Sequence, residues 1–193
     1  GYGISDRKLV ISIAAGVPIK KIEKLLYPPL DASVRKNLPI IRVMPNTPSL
    51  VLAGMSGMSV NAHAVDEDIT ICKTILNSMG RVIEFGEEKL DAVTALSGSG
   101  PAYVFYVIES MAEAGIQMGL NSDDAAMMTL ETIKGAVKLM EDRKESPREL
   151  RRKVTSPGGT TEAALKVMEK NKVKPNIIDA IAAAARRSKE LSV

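Results

Sequence analysis

The spacing of apolar positions changes near Gly86, and the change predicts two kinds of architecture in one chain. Before that point, β-prone runs alternate with stretches of helical period. Leu9 to Ile13 is a continuous apolar run, short enough for a strand buried on both faces of a parallel sheet. Pro18 to Leu26 carries apolar residues at Ile19, Ile22, Leu25 and Leu26, which predicts a short amphipathic helix that Tyr27-Pro28-Pro29 ends. Pro39 to Met44 reads as a second strand and Gly54 to Val60 as a third. Asp66-Glu67-Asp68 opens a helix that runs to Met79, Gly80 ends it, and Arg81 to Phe85 makes the last strand.

From Glu87 onward the period is helical throughout. Leu90 to Leu96 is a short helix, and Pro101 suits the first turn of the next, whose apolar positions are Val104, Val107, Ile108, Met111 and Ala114. Asn121 or Ser122 caps a helix reaching Met140, and Ser146-Pro147-Arg148-Glu149 forms a capping box before another short one. A final helix starts near Pro175 and reaches Ser188 or beyond, with an alanine surface suited to close packing on a partner helix. The expected organisation is therefore an α/β segment over 1–86 followed by an all-α segment over 87–193.

Four loops interrupt this pattern with residues that can do more than turn. Ala14-Ala15-Gly16 follows the first strand at its carboxyl end, where small residues let a ligand or a neighbouring backbone approach closely. In Pro45-Asn46-Thr47-Pro48 two prolines fix a rigid loop, from which Asn46 can offer an amide in a set direction. Ser97-Gly98-Ser99-Gly100 lacks the Gly-Lys-Ser/Thr ending of a P-loop, and its small residues suit helix packing better than ligand contact. Finally, Thr155-Ser156-Pro157-Gly158-Gly159-Thr160-Thr161 precedes a helix that Thr160 or Thr161 can cap. Its free N–H groups and the positive end of the helix dipole suit a carboxylate or phosphate, although an ordinary Pro-Gly turn would read the same way.

Composition narrows the chemistry. Aromatic residues make up only 3% and tryptophan is absent, which argues against base-stacking surfaces. A formal charge of +3 is far from the concentrated basic footprint of a nucleic-acid binder, and Arg151-Arg152-Lys153 complements a helix dipole instead. The one cysteine, Cys72, sits among Ile69, Ile71, Ile75 and Leu76 as a buried helix residue, and the one histidine, His63, falls in a turn. Neither a thiol nucleophile with a basic partner nor a metal site is expected. The chain has no apolar run of the roughly twenty residues that span a membrane. It opens on no signal peptide either, so the expected setting is cytoplasmic, or an organelle interior after leader removal.

Taken together and in order, Ile11-Ser12-Ile13-Ala14-Ala15-Gly16, Arg42 to Pro48, Leu96 to Tyr103 and Val154 to Thr161 resemble the motifs of the pyrroline-5-carboxylate reductases. The resemblance spans nearly the whole chain, and its Ser-Pro-Gly-Gly-x-Thr segment is close to a family signature. It implies the C-terminal half of a Rossmann-like NAD(P)-binding domain, then an all-helical dimerisation and substrate-binding domain. Cofactor (NADPH or NADH), substrate (a cyclic imino acid) and assembly (a homodimer or a larger homo-oligomer of dimers) follow from the same source.

Carried over by position, the resemblance places Ser156, Gly158, Gly159 and Thr160 around the substrate carboxylate, and Thr161, the one catalytic residue implied, at the ring nitrogen. Ala14, Ala15, Gly16, Pro45 and Asn46 would line the nicotinamide side. A family carboxylate near the substrate has no clean counterpart, Lys144 and Glu145 standing at its spacing. The family's Gly-x-Gly-x-x-Gly turn does not occur in these residues, which predicts poor NAD(P)H binding. From this comes a second expectation, that the chain is an inactive helical dimerisation module. A third, a hydroxy-acid dehydrogenase, fits less well because no catalytic lysine stands in a matching motif.

Overall fold

The computed structural model describes residues 6–192. Two compact units divide the chain: one runs to Pro101 and takes the chain up again from Ala180, and the other is Ala102–Asp179. Val193 and residues 1–5, the start of the 1–86 segment, lie outside the described residues.

The first unit is built on a four-stranded sheet in the order β1 (Val10–Ser12), β2 (Ile40–Met44), β3 (Gly54–Val60), β4 (Gly80–Glu84). Helices α1 (Ile19–Leu26) and α2 (Ala32–Arg35) join β1 to β2, and α3 (Asp66–Asn77) joins β3 to β4. Those two pairs are parallel, as crossover helices require. The pair β2–β3 is antiparallel, with Ile41 opposite Val60, so strict alternation of strand and helix is broken there. The cause is the connection. Residues 45–53 hold only a 3₁₀ turn, Thr47–Val51, which is too short for a crossover.

Alternation along β2 separates two cores. Ile40 packs with Ile19, Ile22, Tyr27, Leu30 and Leu38, whereas Ile41 and Val43 pack with Met58, Cys72 and Leu76. Each fully buried aliphatic side chain contributes about 1.5–3 kcal/mol. Under the first core, Asn61 accepts the Ile40 N–H and donates to the Tyr27 hydroxyl at 2.7 Å, while that hydroxyl donates to Leu38 O at 2.8 Å. Cys72 is fully buried in α3, as expected, and burial pushes its thiol pKa up.

Two apolar expectations fail. The run Leu9–Ile13 gives a strand only over Val10–Ser12; it is half-buried, and Ile13 is exposed, because β1 lies at the edge of the described sheet. In α1, Leu25 and Leu26 are exposed: the chain turns at Tyr27, and Tyr27 with Leu30 fills the space against the sheet that those leucines were expected to occupy.

After β4 come a 3₁₀ turn (Glu87–Lys89), α4 (Leu90–Val93) and a π turn (Thr94–Gly98), in place of one short helix over Leu90–Leu96. Next stand α5 (Gly100–Gln117), α6 (Ser122–Arg143), α7 (Pro147–Lys153), α8 (Thr160–Lys170) and α9 (Val173–Leu191), the last starting before Pro175. Asn121 caps α6 by accepting the Asp124 N–H at 2.9 Å, and the Ser146–Glu149 capping box is present on α7. The Ser146 hydroxyl and N–H, with Lys153 and Arg152 nearby, hold the Glu149 carboxyl below its usual range. Within the second unit the predicted inward positions Val104, Val107 and Met111 are exposed, as are Met127, Met128, Val167, Met168, Ile177 and Ile178.

Candidate functional site

Because β1 and β2 are parallel neighbours, Ala14–Gly16 and Pro45–Asn46 leave the sheet at the same end. Ala14 and Ala15 are exposed and carry only methyl groups, while Pro45 and Asn46 are half-buried. Gly16 has a left-handed backbone (φ +71°), and a Cβ there would stand 2.9 Å from the carbonyl oxygen of Leu191. Of the two readings of this glycine, the structure shows the close approach of a neighbouring backbone. The Asn46 amide is directed inward: its Oδ1 accepts the Met55 N–H at 2.9 Å, and its Nδ2 donates to Ser97 O at 3.2 Å. It ties the β2 loop to β3 and to the π turn. Gly98 is a packing glycine, since a Cβ there would meet Met44 Cε at 2.8 Å.

The second set of residues lies wholly in the other unit. Helix α7 ends at Lys153, and the Thr155 hydroxyl donates back to Arg151 O at 2.6 Å. The loop then tightens through Gly159 N–H to Ser156 O at 3.0 Å, with Gly158 left-handed (φ +71°) and open space around it. Gly159 is the N-cap of α8, with no side-chain cap bond, so Thr160 and Thr161 are its first two helical residues rather than its cap. Glu162 reaches back to the loop before the cap, its Oε2 accepting the Gly158 N–H at 2.9 Å and standing 3.3 Å from Lys166 Nζ. An acidic residue in the first turn of a helix that follows a Pro-Gly-Gly loop is the signal by which Glu162 could have been found. The N–H groups of Thr160, Thr161 and Glu162 meet no acceptor among the described residues, as expected of a helix start. Ser156, Gly158 and Thr160 are exposed, and Thr161 and Gly159 are half-buried.

Behind this loop the second unit has a concavity of about 770 Å³ lined by Ser146, Arg148, Arg151, Arg152, Thr155 and Glu169 among others. It shares only Thr155 with the signature segment. Among the described residues no group of three or more His, Cys, Asp or Glu side chains could hold a metal ion. Nor is any described helix long and apolar enough to cross a membrane.

Residues 87–191 match the family described as pyrroline-5-carboxylate reductase dimerisation. A pyrroline-5-carboxylate reductase of Synechocystis sp. is 43% identical over 189 residues, covering 98% of this chain and 67% of the relative. Among solved structures, a Plasmodium falciparum pyrroline carboxylate reductase with NADP bound superposes with a TM-score of 0.88 at 35% identity, covering 96% of this chain and 72% of that one. A pyrroline-5-carboxylate reductase from Coxiella burnetii gives 0.87 at 39% identity, covering 98% and 68%. The chain belongs to the pyrroline-5-carboxylate reductase family. It spans about two thirds of the length of these relatives.

Proposed function

We propose that this chain reduces 1-pyrroline-5-carboxylate to L-proline with a hydride from NADPH or NADH, in a cytoplasmic setting, as a homodimer or an oligomer of dimers. One observation carries the reading: α8 begins with free N–H groups beside a half-buried Thr161 hydroxyl, in a chain 43% identical to a reductase of that name. The donors of Thr160 and Thr161, with Ser156, Gly158 and Gly159 shaping the loop, take the substrate carboxylate at the positive end of the helix. Thr161 holds the N–H of the protonated ring nitrogen and orients the adjacent C5 carbon. The small residues Ala14 and Ala15, with Gly16, Pro45 and the backbone of Asn46, fit the nicotinamide side. When bound, the dihydronicotinamide supplies the hydride. The protein's task is orientation and charge stabilisation, which needs no histidine or cysteine.

The test is competition. L-Proline and related carboxylic acids should compete with substrate, and the matching amides should not; equal inhibition by both would remove the carboxylate site. Thr161→Val should lower kcat/KM by the worth of one oriented hydrogen bond, about 1–3 kcal/mol, with the dimer intact by light scattering. An unchanged kcat/KM would take Thr161 out of the mechanism.

A second reading has its own observation. The exposed apolar residues of α5, α6 and α8, among them Val104, Phe105, Met127, Met128, Val167 and Met168, favour a surface covered by a second copy, so the chain also fits a dimerisation module without activity. NADPH oxidation, measured on this chain and on one extended to the relatives' length, separates the two. Oxidation by neither, from proteins that are dimeric in solution, would favour the module.

A further inference from the structure

We infer that Glu87 is the positioning residue for the turn 14–18, so that the nicotinamide side of the site is set by the first residue of the dimerisation region. The inference rests on the placing of the nicotinamide at Ala14–Gly16 proposed above. Helix α1 begins directly after that turn, on a Pro18 N-cap with no side-chain cap bond. The first N–H groups of a helix have no acceptor within it. Glu87 supplies one from far along the chain: its Oε1 accepts the Ile19 N–H at 2.6 Å.

The same oxygen accepts from Arg42 Nη1 at 3.2 Å. Arg42 lies on β2 opposite Ser59, its side chain only 6% exposed, so the sheet fixes the cation and the cation fixes the carboxylate. A second hold on the turn comes from the same later part of the chain. Gly16 lies under the Leu191 carbonyl, and Ser188 Oγ, near that end of α9, donates to Asp91 Oδ1 of α4 at 2.7 Å. The turn is thus bonded through Glu87 and lies close against the last turn of α9, which Ser188 ties to α4. No sequence motif marks Glu87 for this, because the contact joins residues 68 apart.

Replacing Glu87 separates position from stability. Glu87→Gln keeps an acceptor oxygen for both donors, whereas Glu87→Ala removes it and leaves Arg42 buried without a counter-ion. The double variant Arg42→Leu/Glu87→Ala removes that cation too. In the full chain, hydrogen exchange at the Ile19 amide should accelerate by about tenfold or more in Glu87→Ala and in the double variant, and stay near wild type in Glu87→Gln. NADPH affinity, read by cofactor fluorescence, should fall about five- to tenfold in the same two variants, with L-proline binding unchanged.

Thermal stability should fall in Glu87→Ala and recover in the double variant. If cofactor affinity recovers together with stability in the double variant, Glu87 acts through stability alone and the inference is overturned. Unchanged protection of Ile19 in Glu87→Ala overturns it as well. Cofactor affinity is read on the protein extended to the relatives' length; should that wild-type protein bind no cofactor, the proposed nicotinamide side fails, and the exchange data still decide whether Glu87 holds the turn.

Discussion

Gly80→Ala is expected to destabilise the first unit by about 3 kcal/mol or more, since a backbone clash cannot be relieved by a rotamer change. Gly80 opens β4 directly opposite Gly54 at the start of β3, with φ +148°. A Cβ there would stand 2.0 Å from Gly54 O and 2.4 Å from Gly54 N. Gly54 is tied in place, its N–H donating to Met79 O at 2.9 Å. The first pairing of the parallel β3–β4 ladder would have to open. Gly135→Ala in α6 is the matched control, with nothing within 4 Å of the new methyl, and should stabilise by about 0.5–1 kcal/mol. Urea midpoints for both variants check the pair; a loss under about 1 kcal/mol at Gly80 would mean that the two strands separate at little cost.

Arg7→Met is expected to destabilise the first unit at neutral pH, by less than breaking a fully buried pair would because the arginine is partly exposed. Asp68 is buried in the first turn of α3 and takes both Nε (3.2 Å) and Nη2 of Arg7, as well as the Val65 N–H at 2.9 Å. Arg7 also donates to Lys36 O at 2.7 Å and His63 O at 2.8 Å, so one side chain joins three loops. The guanidinium of Arg7 is the main cause holding the Asp68 carboxyl below its usual range. The sign follows. A carboxylate whose folded-state pKa is depressed contributes its full stability above the unfolded value of about 3.9, and loses it as pH falls through the lower folded value. The gap between wild type and Arg7→Met should therefore be widest near neutrality and close in acid below that value. Equal gaps at both ends would show that Arg7 acts by packing and backbone bonds alone.

Much of this was legible along the chain because each element is announced by local chemistry. Pro45 stops β2, Asp66 to Asp68 start α3, and Ser146 with Glu149 starts α7; side chains three or four residues apart settle each one. The misses are contacts between distant segments. Period alone could not tell that Tyr27 and Leu30 would take the place of Leu25 and Leu26, or that the Asn46 amide would be used up by Met55 and Ser97. The antiparallel β2–β3 pair was within reach, since residues 45–53 cannot hold a crossover. At the candidate site, the loop Ser156–Thr161 was readable from its own residues. Thr160 and Thr161 read as possible caps, yet Gly159 is the cap, because a glycine in extended conformation caps as well and no side chain announces it. Glu87 was invisible for the same reason as the core errors, its partners being residues 19 and 42.

Cys72 gives the molecule a built-in reporter. Its thiol is fully covered between α3 and the sheet, and it is the only one in the chain. A thiol reagent can reach it only while α3 is lifted off Ile41, Val43 and Met58, so the labelling rate counts those openings directly. With fast reclosing, the ratio of that rate to the rate for an exposed thiol is the open fraction. Followed with and without NADPH, or with and without L-proline, it measures ligand-induced tightening of the first unit with no engineered label at all.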